Sequence, residues 1–296
     1  MNLLIGYFGF EMKLMEWLYE VGNTFLDVFF WLISQLGGSI AIILFMSITY
    51  WIINKNDGKK MAYAIISSMT FNNLLKSFIG ARRPFEFQGH EHLKKLENSP
   101  LSSHATGSSF PSGHSQNSAS AFMSLILYFK KKWITILSIC FIILVPISRL
   151  YLGVHFPHDV FVGTLIGLLF AFLSFKLLQK TNKMGLIYIV TCLIFTPFLF
   201  FKNTNYDFYR SYGLLIGAGL GILFEEKFIN FETNNLTKKN IILRLLIGFS
   251  ILLILYMGGK LIPVFEEINF LVVIHHFIVS FALFGLIPFI FKKTNI

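Results

Sequence analysis

Three short polar islands interrupt an otherwise apolar chain. In the first, Lys76 is followed after six residues by Arg83 and Pro84. The second is the contiguous run Pro111, Ser112, Gly113 and His114. The third joins Ser148 and Arg149 to His155 and Asp159. Together they supply three cations, two histidines, a carboxylate and a Ser-Gly turn. These suit cleavage of a phosphate ester without a metal. A phosphate monoester near neutral pH carries close to two negative charges. Arginine binds it bidentately through a planar fork, and lysine adds a mobile point charge. Lys76, Arg83 and Arg149 are therefore candidate phosphate ligands. Pro111-Ser112-Gly113 directly precedes an apolar helical run, where unpaired N–H groups and the helix dipole favour an anion. The Ser112 hydroxyl can donate to a phosphate oxygen, and Gly113 lets the backbone approach it closely. Of the two histidines, one must attack phosphorus and the other must protonate the departing alkoxide. His155 and Asp159, four residues apart, lie on one helical face, as a nucleophile and its orienting carboxylate would. That leaves His114 as the general acid.

Each island alone has a plainer reading. A basic residue at the end of a span commonly anchors it by snorkelling. Asp159 after Pro157 fits a helix cap, and Pro-Ser-Gly fits a turn. The functional reading rests on eleven fixed positions occurring together in order.

The elements that position these islands are membrane helices. The chain is 55% hydrophobic and 14% charged, with a mean hydropathy of +0.66. It repeatedly supplies runs of the length needed to cross a bilayer. The runs fall at approximately 38–54, 61–79, 114–129, 133–150, 158–178, 184–201, 211–229, 241–262 and 268–291. The stretch 14–37 carries Glu16, Glu20, Asn23 and Asp27, so it is either an interfacial helix or a tenth span, with Gly37-Gly38 marking the bend after it. The expected fold is an all-α polytopic transmembrane bundle of about nine or ten spans. The start lacks the basic region of a cleaved signal peptide, so targeting is expected to rest on the first spans. Cys140 and Cys192 stand alone in apolar runs and suggest neither zinc nor a disulfide.

The net charge of +10 does not point to nucleic acid, because it is distributed by loop. One set of loops and the tail hold Lys55, Lys59, Lys60, Lys130, Lys131, Lys132, Lys176, Lys180, Lys183, Lys227, Lys238, Lys239, Arg244, Lys292 and Lys293. The alternate loops hold Arg82, Arg83, Lys94, Lys95, Arg149, Lys202, Arg210 and Lys260. The positive-inside bias then puts the Lys130–Lys132 loop in the cytoplasm and the three islands on the extracytoplasmic face of the cell membrane. The longest polar stretch, about 80–113, belongs with the islands, since loops of that length are often functional. The chain is expected to divide into a catalytic helical bundle at 1–180 and a further transmembrane bundle of unknown role at 181–296.

The islands resemble the K-x6-RP, PSGH and SR-x5-H-x3-D motifs of the type-2 phosphatidic acid phosphatase superfamily, which includes membrane lipid phosphatases and soluble vanadium haloperoxidases. The match covers all eleven motif positions over about 76–159. The resemblance implies a six-helix phosphatase core. It assigns Lys76, Arg83, Ser112, Gly113 and Arg149 to the phosphate, His114 to the general acid, His155 to a phosphohistidine and Asp159 to its orientation. No metal and no cofactor are implied. The expected activity is hydrolysis of a lipid phosphate or pyrophosphate, with polyprenyl pyrophosphate, phosphatidylglycerol phosphate and phosphatidic acid as candidates. A phosphotransferase using the same histidine is the enzymatic alternative, and a lipid-phosphate carrier the non-enzymatic one. A carrier has no use for a nucleophile–acid pair, and a haloperoxidase is soluble. Arg82 and His158 are read as structural or interfacial neighbours, and His104 as a solvated loop residue. His275-His276 is read as a packed, hydrogen-bonded pair. The natural lipid and the oligomeric state stay open.

Overall fold

The computed structural model describes residues 9–95, 105, 107–179, 183–261, 264 and 268–296, and these form helices, turns and loops with no strand. The helices are α1 (Gly9–Glu20), α2 (Thr24–Gln35), α3 (Ser39–Ile48), α4 (Lys55–Ile79), α5 (Gly113–Phe129) and α6 (Lys132–Tyr151). They continue as α7 (Pro157–Gln179), α8 (Met184–Phe195), α9 (Tyr206–Phe224) and α10 (Lys238–Lys260). The last helix, α11, covers Asn269–Thr294.

Four helices, α6, α7, α10 and α11, are long and apolar enough to cross a membrane. A fifth span arises if α2 and α3 with its extension to Ile53, bent by 48° at residues 36–38, count as one. That bend falls at Gly37-Gly38, where the sequence places it. The nine or ten spans expected from apolar runs are not reached by length and composition. In α4, Ser67, Ser68, Thr70, Asn72, Asn73 and Lys76 dilute the apolar run, and α5 opens with Gly-His-Ser-Gln-Asn-Ser. The apolar helix over 184–200 is too short. Helices α6 and α7 leave Ile136, Ile139, Ile143, Leu165, Leu169 and Leu173 exposed, the kind of surface that a helix turns toward lipid.

The chain forms two compact units, each discontinuous in sequence. The first holds residues up to Ile43 together with Phe71–Leu173. Within it α6 packs against α5, α2 and α1. The second holds Leu44–Thr70 and Ser174–Ile296. Within it α9 packs against α8 and α11, and α10 against α11. Gly213 and Gly217 of α9 lie directly under α11 at the carbonyls of Val273 and Phe277, the close approach that small residues give membrane helices. Three π turns, Thr49–Ile53, Glu225–Ile229 and Ala282–Leu286, belong to this unit. They disturb the regular ladder and leave carbonyls for side chains. The Tyr50 hydroxyl donates to Phe284 O at 3.0 Å, and the Trp51 indole donates to Leu283 O at 2.9 Å.

Candidate active site

All eleven motif residues fall within the first unit. Lys76 lies in the last turn of α4. Arg83 and Pro84 follow in the loop, and Ser112 is the N-cap of α5. Arg149 is in the last turn of α6, and Asp159 is in the first turn of α7. His155 stands in the short connection between α6 and α7. The islands thus meet at helix ends, where unpaired backbone groups gather.

The loop just before α5 ties the first two islands together. Lys76 Nζ donates to Ser108 O at 3.0 Å, and Arg83 Nε donates to Gly107 O at 3.1 Å. Asn72 of α4 donates to Pro111 O at 3.3 Å and to Gln116 Oε1 at 2.7 Å, bracing the Pro-Ser-Gly-His turn. The third island is stitched on through backbone, with Ser112 N–H donating to Asp159 O at 3.0 Å. Helix α7 approaches here on Gly163 and Gly167. A Cβ at Gly163 would stand 2.6 Å from Ser112 O, and one at Gly167 would strike Gln116 O.

Around His155 the geometry is specific. Its Nε2 lies 3.4 Å from Arg83 Nη1, which also donates to Val154 O at 2.9 Å. A guanidinium can only donate, so Nε2 is the bare nitrogen and Nδ1 carries the proton. Nδ1 does not reach Asp159 directly, the separation being 3.5 Å. Ser109 stands between them. Its Oγ accepts from His155 Nδ1 at 3.2 Å and donates to Asp159 Oδ2 at 2.5 Å. The same carboxylate oxygen accepts from Phe156 N–H at 2.8 Å. Asp159 therefore caps the start of α7 while it anchors the serine. His155, Ser109 and Asp159 are all buried. Burial is the largest influence on His155 and holds its pKa well below the usual imidazole value. The cations Arg83, Arg149 and Lys76, then His114, lower it further.

Arg149 is buried and donates through Nη1 to Ser34 Oγ at 2.6 Å, while its Nε has no acceptor among the described residues. A buried guanidinium nitrogen without an acceptor suits a ligand oxygen. The α2–α3 turn supplies more than Ser34, because Gly37 packs against the His114 backbone. His158 is part of the structure around the site. Its Nδ1 lies 2.9 Å from both oxygens of the buried Glu11, and its Nε2 lies 3.3 Å from Asp159 Oδ1. Arg82 is exposed, and His104 lies outside the described residues.

Sequence reasoning missed Ser109, Ser34 and Glu11. The last two lie 115 and 147 residues from their partners, so no spacing connects them. Ser109 differs, being three residues before Ser112 in a polar loop that is already suspect for its length.

Comparison with known proteins gives the family. Residues 57–183 match the PAP2 superfamily. Lipid A 4'-phosphatase of Bacteroides thetaiotaomicron is 31% identical over 160 residues, covering 50% of this chain and 70% of that protein. The chain belongs to the PAP2 superfamily. A second match, at 209–296, is to the PAP2 superfamily phosphatase transmembrane extension. Undecaprenyl-diphosphatase of Sulfolobus acidocaldarius is 33% identical over 120 residues. That match spans 40% of this chain and only 54% of the relative. The crystal structure of Aquifex aeolicus LpxE superimposes with a TM-score of 0.50 at 28% identity, covering 58% of this chain and 99% of that one.

Proposed function

We propose that this PAP2 protein is an integral membrane phosphatase that hydrolyses a lipid phosphate or pyrophosphate through a phosphohistidine on His155. The observation that carries the reading is the orientation of His155. Its protonated Nδ1 is held by Ser109 and Asp159, and its bare Nε2 faces the Arg83 guanidinium. Arg83, Arg149 and Lys76 hold the phosphoryl oxygens, together with the Ser112 hydroxyl and the backbone at Gly113, where α5 begins. The Nε2 lone pair attacks phosphorus as the bond to the lipid oxygen breaks, and His114 gives that oxygen its proton. Water then attacks phosphorus, and the phosphorus–Nε2 bond breaks. His114, now neutral, takes the water's proton, and phosphate leaves with His155 restored. The charges the reaction needs come from the three cations, so no metal is called for.

The lipid class is supported by relatives named for undecaprenyl diphosphate and lipid A. Polyprenyl pyrophosphate, phosphatidylglycerol phosphate and phosphatidic acid are the candidate substrates. Catalysis belongs to residues within 1–180, and 181–296 contribute no motif residue. The six-helix core, the fuller count of nine or ten spans and the extracytoplasmic placement of the site are part of this reading.

The test is phosphate release by the detergent-purified protein on those three lipids, with EDTA present. Release is expected to survive EDTA and to disappear in His155→Ala. Release that persists in the variant would overturn the phosphohistidine. No release from any lipid would favour the phosphotransferase or the carrier.

A further inference from the structure

The second unit contains a cavity that the catalytic motifs do not touch. Its volume is about 260 Å³, and it is lined by Tyr206 and Arg210 of α9, Tyr256 and Lys260 of α10, and His275 and His276 of α11. A water's share of liquid volume is about 30 Å³, so this space is large enough for a polyatomic ligand. Within the unit the cavity lies near the start of α9 and the end of α10. Lys227, Lys238 and Lys239 belong to the opposite ends of those helices.

The lining residues are held in place. Arg210 Nε donates to His276 Nε2 at 3.2 Å, and because the guanidinium only donates, Nε2 accepts. The other ring nitrogen, Nδ1, must then carry the proton that bonds Val272 O at 2.9 Å. His276 is therefore a neutral anchor that aims the arginine. His275 Nε2 donates to Leu255 O at 3.1 Å, and its ring stacks on Tyr256 at 6.3 Å. Lys260 Nζ lies 5.0 Å from the Tyr256 ring centroid, and the Arg210 guanidinium lies 5.6 Å from that of Tyr206. The expectation of a packed, hydrogen-bonded histidine pair is met, and the pair also forms a wall of the cavity.

A snorkelling anchor extends away from the protein toward headgroups. Arg210 instead is fastened inward, to a histidine only 6% exposed. Its Nη1 meets Asp207 at 3.2 Å, with that carboxylate 49% exposed at the outer side. Among the described residues the cavity lining contains no carboxylate. It offers a guanidinium fork, an ammonium and two phenol hydroxyls, a set rich in donors. Such a lining suits a ligand with several acceptor oxygens and negative charge.

We infer that this cavity is a second phosphoryl-binding site, separate from the motif site, which takes the phosphate group of a lipid or free inorganic phosphate. It does not rest on the phosphatase reading. The test reads Arg210 itself. Full-length protein carrying His155→Ala, so that no lipid is consumed, is placed in phosphatidylcholine nanodiscs with or without phosphatidic acid, or is given inorganic phosphate. The rate of phenylglyoxal modification at Arg210 is followed by peptide mass spectrometry. At ten times Kd the labelling rate is expected to fall about tenfold. Lys260→Gln is expected to raise the half-protecting concentration about tenfold, the size of one lost charged hydrogen bond, and Lys260→Arg to restore it. Protection by both probes identifies a site open to free phosphate. Protection by phosphatidic acid alone identifies a lipid headgroup site. Unchanged labelling with either probe would overturn the inference. So would equal protection by phosphatidylcholine alone, or protection indifferent to Lys260→Gln.

Discussion

At the scale of single residues, the site depends on keeping one imidazole nitrogen bare. His155 is buried among cations that hold its pKa below 6.5. A depressed value means that protonation begins only at lower pH, so in the proposed mechanism His155 is available as the nucleophile throughout the neutral range. The acid limb of kcat/KM, which reports the free enzyme, is expected below pH 6.5. A limb at or above 6.5 would contradict this assignment. Ser109 is the residue through which Asp159 acts, and Ser109→Ala leaves the Nδ1 proton without its acceptor. The loss of about 1.4 kcal/mol, one hydrogen bond, predicts about a tenfold fall in kcat. KM is expected to stay near its original value, because Ser109 faces the histidine and not the phosphate cradle. A general loss of fold would also lower kcat at unchanged KM, so the fall is read after normalising to the folded fraction, and rescue by Ser109→Thr marks the hydroxyl's role. The candidate nucleophile, its candidate acid partner and the cations could be singled out in the sequence because phosphate chemistry restricts residue type and order. Ser109 was not, since a serine in a serine-rich loop carries no spacing signal.

At the scale of elements, the site is made where α4, α5, α6 and α7 end or begin, and α7 must come close enough to bond Asp159 O to Ser112 N–H. Gly163 permits that approach. Gly163→Leu is expected to reduce phosphate release by at least about tenfold, consistent with ångström-scale misplacement of catalytic groups. Thermal stability of the detergent-solubilised protein should fall by roughly 1–3 kcal/mol, the usual cost of overpacking. Full activity in that variant would show that α7 has room to move. The same elements explain why the spans read from sequence outnumber those that length and composition support. Apolar runs were readable, but the polar residues that serve the site interrupt them, so α4 and α5 look less membranous than their neighbours. The stretch 14–37 was ambiguous for a related reason. Two of its polar residues face protein, with Asp27 accepting from the Tyr151 hydroxyl at 2.6 Å and Ser34 accepting from Arg149 at 2.6 Å, while Glu20 and Asn23 are exposed.

At the scale of the whole molecule, the loop charges predict sidedness. In a background without Cys140 and Cys192, a cysteine at Gln88 should react with an impermeant maleimide in intact cells. One at Lys131 should react only after permeabilisation, and the reverse pattern would place the site in the cytoplasm. The chain order of the two family matches, 57–183 and then 209–296, suggests a catalytic module with an appendix. The packing is arranged otherwise. Residues 44–70 belong to the same compact unit as 174–296. Their fully buried Tyr50 and Trp51 are bonded to carbonyls near the C-terminus. The extension is therefore not a cassette that evolution or an engineer can clip off at a linker. Truncation after the first match would strip the aromatic pair of its acceptors and of the helices around it. Removing the extension therefore calls for redesign of residues 44–70 as well, because their buried aromatic pair loses its partners with it.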